Sequence, residues 1–269
     1  MKAEQITAAA EALFQAEATG RQIGLLSLAY PGMTMDDAYA VQKALVARRA
    51  AAGRRVIGWK IGLTSKAMQA ALGIDIPDSG VLTDDMLFAD GAVIPAGRFI
   101  QPRVEAEIAF VMKAPLAGDS VTRADVVAAT DYVAPALEIL DTRVLRVDPD
   151  TGKARGIVDT ISDNAANAGI VMGAARHAID SFDLRWTGAI LTRDDAVEET
   201  GLGAGVLNDP VQAVVWLAQR MALYDQRIEA GQIILSGSFI RPVECVPGSD
   251  IKADFGPFGQ VSVRFAPKA

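Results

Sequence analysis

The chain has 269 residues, of which 51% are hydrophobic and 22% charged, and its 33 acidic and 26 basic side chains give a formal net charge of −7. This acidic balance argues against nucleic acid as a partner. The single cysteine, Cys245, excludes disulfide scaffolds and multi-cysteine metal sites within one chain. Because His177 is the only histidine, acid–base chemistry must come from carboxylates, lysine, tyrosine or a metal-bound water.

The same composition bears on location and domain number. No apolar segment approaches the ~20 residues of a membrane span, and Glu4 lies where a secretion signal would be apolar. We therefore expect a cytoplasmic protein that does not bind membranes. We also expect one catalytic domain, 1–269, with residues 1–54 forming a helical N-terminal lobe.

Two amphipathic helices are predicted in that lobe. From Glu4 to about Glu17, apolar residues recur at helical spacing. Thr34 with Asp37 predicts the capped start of a second helix, which Gly53 ends. Neither helix carries residues that indicate chemistry, so we expect both to serve packing.

The next predicted strand, Arg55 to Thr64, carries a lysine between two glycines. Lys60 shares a face with Gly58 and Gly62, which leaves space for a ligand or another backbone to approach. A lysine that simply faces water is the alternative. A short helix is predicted at 65–72, and Asp78 follows in a loop, where aspartate is typical of turns.

Two glutamates dominate the strand predicted at 101–110. Because side chains two apart share a face, Glu105 and Glu107 stand side by side with an apolar face behind them. Adjacent like charges on a stiff element repel each other unless water or a cation relieves the repulsion. A divalent cation would do so, and a solvated strand face is the alternative.

A third carboxylate lies in the strand predicted at 132–140. Glu138 has apolar neighbours along the chain, and a buried carboxylate needs a pairing partner or a metal. This favours a shared role for Glu105, Glu107 and Glu138. An edge strand with Glu138 in solvent is the alternative.

The remaining segments predict a β-rich core. Asp90-Gly91 predicts a tight hairpin over 88–94. The small polar residues of 159–169 are typical of a capped helix start or of hydrogen-bonding groups around a polar ligand. Short strands then follow, with a turn at Asp194-Asp195 and one helix opened by Asp209-Pro210. The pattern predicts an α+β fold with a mixed, largely antiparallel β core.

Four segments resemble the hydratase/decarboxylase family of the fumarylacetoacetate hydrolase superfamily, and the likeness covers nearly the whole chain. They are Gly58–Met68, Pro102–Glu107, Pro135–Glu138 and Asp159–Gly169. The resemblance implies a β-roll fold, homo-oligomers, and Mg²⁺ or Mn²⁺ held by Glu105, Glu107 and Glu138. It implies catalytic roles for Lys60 and Asp78. The residues that it implies for substrate binding are Leu63, Arg103, Ser162, Ser236, Gly237 and Ser238.

The resemblance also implies a reaction, the addition of water to a 2-oxo-4-enoic acid, in which the metal stabilises the enolate. Segments 65–69 and 140–143 resemble the branch that acts on 2-oxohept-4-ene-1,7-dioate in homoprotocatechuate degradation, where an aldolase or decarboxylase of the pathway could associate. A second substrate carboxylate calls for an arginine. Those available are Arg103, Arg143, Arg155 and Arg241.

Other activities remain open at this point. A 2-oxopent-4-enoate hydratase and a 4-oxalocrotonate-type decarboxylase would rely on the same stabilisation of an enolate by the metal. Hydrolysis of carbon–carbon bonds ranks lower, because the chain has no second histidine that could pair with an acid to activate water. A metal-stabilised binding protein without turnover is the alternative outside the enzymes.

Overall fold

The structure, a computed structural model, describes residues 1–66, 69–70 and 76–268. Part of the helix predicted at 65–72 lies outside these residues. The helices are α1 (Ala3–Thr19), α2 (Leu26–Ala29), α3 (Met35–Ala51), α4 (Arg123–Ala129), α5 (Ile157–Ser162) and α6 (Pro210–Ala222). The strands are β1 (Val56–Gly62), β2 (Asp78–Thr83), β3 (Leu87–Ala89), β4 (Ala92–Ile94), β5 (Arg103–Met112), β6 (Thr130–Leu140), β7 (Asn167–Met172), β8 (Gly188–Arg193), β9 (Ala196–Leu202), β10 (Ile233–Ser238), β11 (Val243–Glu244), β12 (Asp250–Asp254) and β13 (Gln260–Phe265).

The two helices predicted near the N-terminus are confirmed. Thr34 and Asp37 form the reciprocal cap that starts α3, and the left-handed conformation of Gly20, with φ of 66°, ends α1. The apolar faces of α1 and α3 pack together around Leu13 and Leu45, which form a hydrophobic cluster separate from the main core. No helix within the described residues is long and apolar enough to span a membrane.

The strands form two mixed, largely antiparallel sheets, which confirms the predicted fold class. The larger sheet has the order β2-β1-β10-β5-β6-β7-β3, with β11 pairing to β5. Within it, β1 and β10 pair in parallel, as do β3 and β7. The smaller sheet has the order β4-β13-β12-β8-β9. Its β8–β9 hairpin turns at Asp194 and Asp195, which both have positive φ.

The long strands β5 and β6 pair at the centre of the larger sheet. On one face of β5, apolar side chains enter the main core; they are Val104, Ala106, Ile108 and Phe110. Burying Val104, Ile108 and Phe110 stabilises the fold by about 1.5–3 kcal/mol each. The alternation predicted from the sequence therefore leaves the opposite face of β5 to the glutamates.

The hairpin predicted at Asp90-Gly91 is wrong. Instead, β3 pairs with β7 in the larger sheet, whereas β4 pairs with β13 in the smaller one. Gly91, with φ of 73°, turns the chain from one sheet to the other, and Asp90 accepts a hydrogen bond from the Ser262 amide at 2.8 Å. Each of these three-residue strands thus pairs with a longer strand of a different sheet.

Candidate metal centre and active site

Three carboxylates meet on one face of the larger sheet. Glu105 lies directly opposite Glu138 in the β5–β6 ladder, and Glu107 is the next residue along that face. One carboxylate oxygen of each lies within 4.8 Å of the others. Glu107 and Glu138 are fully buried and Glu105 is half-buried. Because β6 lies between β5 and β7, the edge-strand alternative for Glu138 is wrong.

The two buried carboxylates each have one oxygen held by the protein and one left free. Glu107 Oε2 accepts a hydrogen bond from the Gly237 amide at 2.8 Å. Glu138 Oε1 accepts one from Asn167 Nδ2 at 2.7 Å and lies 3.4 Å from Lys60 Nζ. The other oxygen of each has no hydrogen-bond partner among the described residues. Leaving such an atom unpaired typically costs about 1–3 kcal/mol.

This donor set fits a hard divalent cation. The ligands are carboxylate oxygens without histidine or cysteine, which favours Mg²⁺, Mn²⁺ or Ca²⁺ over Zn²⁺. Burial, reinforced by Glu138, raises the pKa of Glu105 to about 8. Burial and the same neighbour raise the pKa of Glu107 well above its ordinary value. A cation would relieve the repulsion between the carboxylates, which contributes to these pKa shifts.

Lys60 reaches this face from β1. Its side chain is 4% exposed, so the alternative of a lysine that faces water is wrong. Burial alone would lower the pKa of Lys60, but Glu138 and then Asp78 outweigh it and the pKa is raised. The lysine is therefore held as an ammonium ion among carboxylates.

Asp78 is the first residue of β2 and not a turn residue. It pairs with Gly62 across the β1–β2 ladder and is 2% exposed. A Cβ at Gly62 would lie 2.2 Å from Asp78 Oδ1 and 3.0 Å from Lys60 Nζ. The space above this glycine is thus filled by the two side chains predicted to be catalytic. Burial raises the pKa of Asp78, although Lys60 opposes the shift.

Asn167 on β7 is a residue that the sequence reasoning did not single out. It is fully buried, its amide holds Glu138, and its Oδ1 has no partner among the described residues. Its backbone oxygen accepts a hydrogen bond from Arg143 Nη1 at 3.1 Å. The polar segment 159–169 was the available signal, but it could not show which member faces the carboxylates.

The Ser236-Gly237-Ser238 segment borders the carboxylates through β10. Gly237 has φ of 113°, and its amide points at Glu107. Ser236 is fully buried and its hydroxyl has no partner among the described residues. Ser238 donates to the Ile240 carbonyl at 2.8 Å, within its own turn. Ser236 and Gly237 are therefore better placed than Ser238 to meet a ligand.

The other predicted substrate-binding residues make local contacts. Leu63 follows β1 with φ of 56°. The Ser162 hydroxyl donates to the Val158 carbonyl at 2.8 Å, within α5. Arg103 Nε donates to Glu244 at 2.6 Å. Neither of these two hydrogen bonds joins the carboxylate cluster.

Two surface cavities do not coincide with this site. Their volumes are about 650 and 630 Å³. Neither is lined by Glu105, Glu107 or Glu138. The site is recognised by its buried carboxylates and unpaired oxygens, not by the size of a surface depression.

The fold of this chain is shared with a protein of known structure. The structure matches fumarylpyruvate hydrolase from Pseudomonas aeruginosa in complex with Mn²⁺ and pyruvate, with a TM-score of 0.59 and 12% identity over 80% of this chain and 90% of that one. At this identity the likeness shows the fold alone. The fold defines the structural class: this chain has the same fold as that hydrolase.

Closer relatives narrow the class to a family. The chain is 52% identical to 2-oxo-hept-4-ene-1,7-dioate hydratase from Escherichia coli over 96% of this chain and 97% of that protein. It is 40% identical to 2-keto-4-pentenoate hydratase from Paraburkholderia xenovorans (strain LB400), over 98% and 96%. 4-Oxalocrotonate decarboxylase from Pseudomonas putida G7, complexed with magnesium and adipate, matches with a TM-score of 0.92 and 35% identity, covering 98% of both chains. No family model matches. The chain belongs to the hydratase/decarboxylase family of the fumarylacetoacetate hydrolase superfamily.

Proposed function

We propose that the protein is a metal-dependent hydro-lyase that adds water to 2-oxohept-4-ene-1,7-dioate, giving 4-hydroxy-2-oxoheptanedioate in aromatic compound degradation. The observation that carries the proposal is the buried carboxylate cluster beside Lys60 and Asp78. The E. coli hydratase, 52% identical over nearly the full length, supports the choice of substrate.

Glu105, Glu107 and Glu138 would hold the metal, which we propose to be Mg²⁺ or Mn²⁺. The free oxygens of Glu107 and Glu138 support this assignment, as do the related decarboxylase structures with magnesium or with calcium. When bound, the cation would supply positive charge that stabilises the enolate form of the 2-oxo acid. Asn167 and Gly237 fix the two buried carboxylates by hydrogen bonds, so their free oxygens are oriented before any ligand arrives.

Lys60 and Asp78 would handle the protons. Conjugating the 2-oxo-4-ene requires a proton to leave C3 and one to reach C5; water then adds its hydroxyl at C4 and a proton at C3. Lys60, held as an ammonium ion, suits stabilising negative charge and delivering a proton. Asp78, whose pKa is raised by burial, suits accepting a proton and returning it.

The test is an assay of the purified protein with Mg²⁺ on 2-oxohept-4-ene-1,7-dioate, 2-oxopent-4-enoate and 4-oxalocrotonate. Nuclear magnetic resonance would follow the hydrated products, and trapped CO₂ would report decarboxylation. We expect hydration, with kcat/KM for the dicarboxylate at least about tenfold above that for 2-oxopent-4-enoate. A ratio near one, or CO₂ release that outpaces hydration, would contradict the proposal.

Two organisational proposals accompany this function. We propose a homo-oligomer, and one catalytic domain over 1–269 in which residues 1–54 form a helical lobe. The packing of α1 against α3 around its own hydrophobic cluster supports the lobe. Light scattering after size-exclusion chromatography would test the first proposal, and limited proteolysis would test the second. A monomer, or a stable core that has lost the lobe and keeps activity, would contradict them.

A further inference from the structure

One arginine near the site has no carboxylate partner in the described part of the chain. Arg155 lies in the segment between β6 and α5, one residue before the cap of α5. Its Nη1 donates to Thr142 Oγ1 at 2.6 Å, and its backbone amide donates to the Arg146 carbonyl at 2.9 Å. The side chain is half-buried, and the contacts leave most of its guanidinium donors available.

The other arginines that could meet a second substrate carboxylate are already engaged. Arg143 is fully buried, its Nε pairs with the Asp163 carboxylate at 2.5 Å, and its Nη1 donates to the Asn167 carbonyl at 3.1 Å. Arg103 pairs with Glu244. Arg241 is 79% exposed and pairs with Glu199. Of the four candidates, Arg155 is therefore the one not committed to a carboxylate of the described residues.

The contact with Thr142 places Arg155 beyond the Arg103–Leu140 end of the β5–β6 ladder. In the β5–β6 ladder, the pair Arg103–Leu140 follows the pair Glu105–Glu138 on the same face, about 7 Å along the strands. Thr142, which holds Arg155, comes two residues after Leu140. The order of these residues along the chain leads from the carboxylate cluster to Thr142, the residue that contacts Arg155.

The surroundings of Arg155 favour an anion. Burial lowers the pKa of Arg155, Asp163 opposes this, and Arg143, Arg146 and Arg103 lower the pKa further by repulsion. Burial raises the pKa of Asp78, and the charge of Arg155 is among the contributions that oppose this shift. A half-buried guanidinium among like charges gains from a carboxylate more than an exposed one does.

We propose that Arg155 binds the substrate carboxylate farthest from the metal site and so sets the preference for a dicarboxylate. The planar guanidinium can bind that carboxylate through two hydrogen bonds. This inference rests on the proposed function, because it names the residue that recognises the distal group of the proposed substrate. Arg155 is a specificity-determining residue and takes no part in the proton transfers.

The experiment compares wild-type protein with Arg155→Gln, Arg155→Lys and the matched control Arg146→Gln, which removes an equal charge nearby. Steady-state kinetics with Mg²⁺ would be measured on 2-oxohept-4-ene-1,7-dioate and on 2-oxopent-4-enoate. We expect Arg155→Gln to lower kcat/KM for the dicarboxylate about tenfold or more, mainly through KM, and to leave the monocarboxylate within about twofold. Arg155→Lys should restore part of the preference, and Arg146→Gln should keep it.

Failure of this inference differs from failure of the proposed function. If the wild type prefers the dicarboxylate and Arg155→Gln keeps that preference, Arg155 is not the recognition residue. An equal loss on both substrates, or the same loss in Arg146→Gln, would also overturn the assignment. If the wild type hydrates neither substrate, the proposed function fails first and the inference falls with it. A circular dichroism melt of each variant separates loss of recognition from unfolding.

Discussion

Replacing Glu107 by glutamine tests the carboxylate cluster most directly. The substitution removes one negative charge and keeps the size of the side chain. Its Oε1 can still accept the hydrogen bond that the Gly237 amide donates to Glu107 at 2.8 Å. The amide nitrogen would then occupy the place of the free oxygen, where it cannot bind a cation. The variant should therefore fold and lose metal affinity.

The size of the effect follows from the geometry. The carboxylate oxygens lie within 4.8 Å of one another, and two unit charges at that separation repel by about 3.5 kcal/mol at an effective dielectric constant of about 20. Because the pKa of Glu105 is raised to about 8, a proton already relieves part of this repulsion at pH 7. We therefore expect Glu107→Gln without metal to be about 1–3 kcal/mol more stable than wild type.

Metal offsets this difference in stability. At a free cation concentration 100 times its dissociation constant, the wild type gains about 2.7 kcal/mol. Removing a residue that hydrogen-bonds to a metal ligand typically lowers metal affinity 10–100-fold. Removing a ligand itself should therefore lower metal affinity at least about 100-fold. The variant would then gain only about 0.4 kcal/mol at the same concentration. Urea unfolding at pH 7.5, with EDTA or with Mn²⁺, measures both gains, and calorimetric titration measures the affinities.

Two results would refute this reasoning. One is equal Mn²⁺ affinity in wild type and Glu107→Gln, which would place the metal elsewhere. The other is a variant that is less stable than wild type in EDTA although it binds metal normally, which would mean that Glu107 serves the fold alone. Asp131→Asn is the matched control, because Asp131 lies exposed at the start of β6. The Asp131→Asn substitution should change neither the free energy of unfolding nor the free energy of Mn²⁺ binding by more than about 0.5 kcal/mol.

Three further predictions concern the neighbourhood of the site and the helical lobe. Lys60→Met should lower kcat about 10²-fold or more and leave Mn²⁺ affinity within a few-fold, measured by kinetics and calorimetry, because its ammonium ion serves the reaction. Gly62→Ala should lower kcat sharply with a smaller loss in melting temperature, since the added Cβ would meet Asp78 Oδ1 at 2.2 Å. Glu17→Gln should cost about 3 kcal/mol at pH 7 in urea unfolding: burial alone would raise the pKa of Glu17, but Arg49 and neighbouring arginines lower it from 4.5 to about 2. This contribution to the free energy of unfolding is complete above pH 4.5 and is lost as the pH falls through about 2. The free energy of unfolding of the variant should therefore fall less steeply than that of the wild type as the pH is lowered through this range, which is the acid limb of the pH profile.

Matched controls accompany these variants. Lys252→Met removes an exposed lysine and should keep full turnover. Gly24→Ala adds a Cβ that meets no atom within 4 Å, so its kcat and melting temperature should stay close to those of the wild type. Glu4→Gln removes an exposed acid from α1 and should keep the acid limb of the wild type. Unchanged turnover in Lys60→Met, an active Gly62→Ala, or an unaltered acid limb in Glu17→Gln would each contradict the corresponding argument.

The sequence by itself determined the local features of this protein. Side-chain alternation placed Glu105 and Glu107 on one face of a strand, and it placed Lys60 with its flanking glycines on one face of another. The Thr34–Asp37 pair marked the start of α3. These features depend on residues close together in the chain, where helical and strand periodicities and capping hydrogen bonds act. The substrate class came from resemblance and not from any such local feature.

Only the tertiary structure decided which strands meet and in which register. The register of β5 with β6 sets Glu105 opposite Glu138, and the pairing of β1 with β2 sets Asp78 over Gly62. Short strands have no local signal for their partners, which is why the predicted hairpin at 88–94 was wrong. Likewise, the sequence offered four arginines and singled out Arg103, whereas the structure engages Arg103, Arg143 and Arg241 in ion pairs and leaves Arg155. Pairing and charge compensation are settled by contacts between distant parts of the chain, because burial and long-range hydrogen bonds determine which arrangement is most stable.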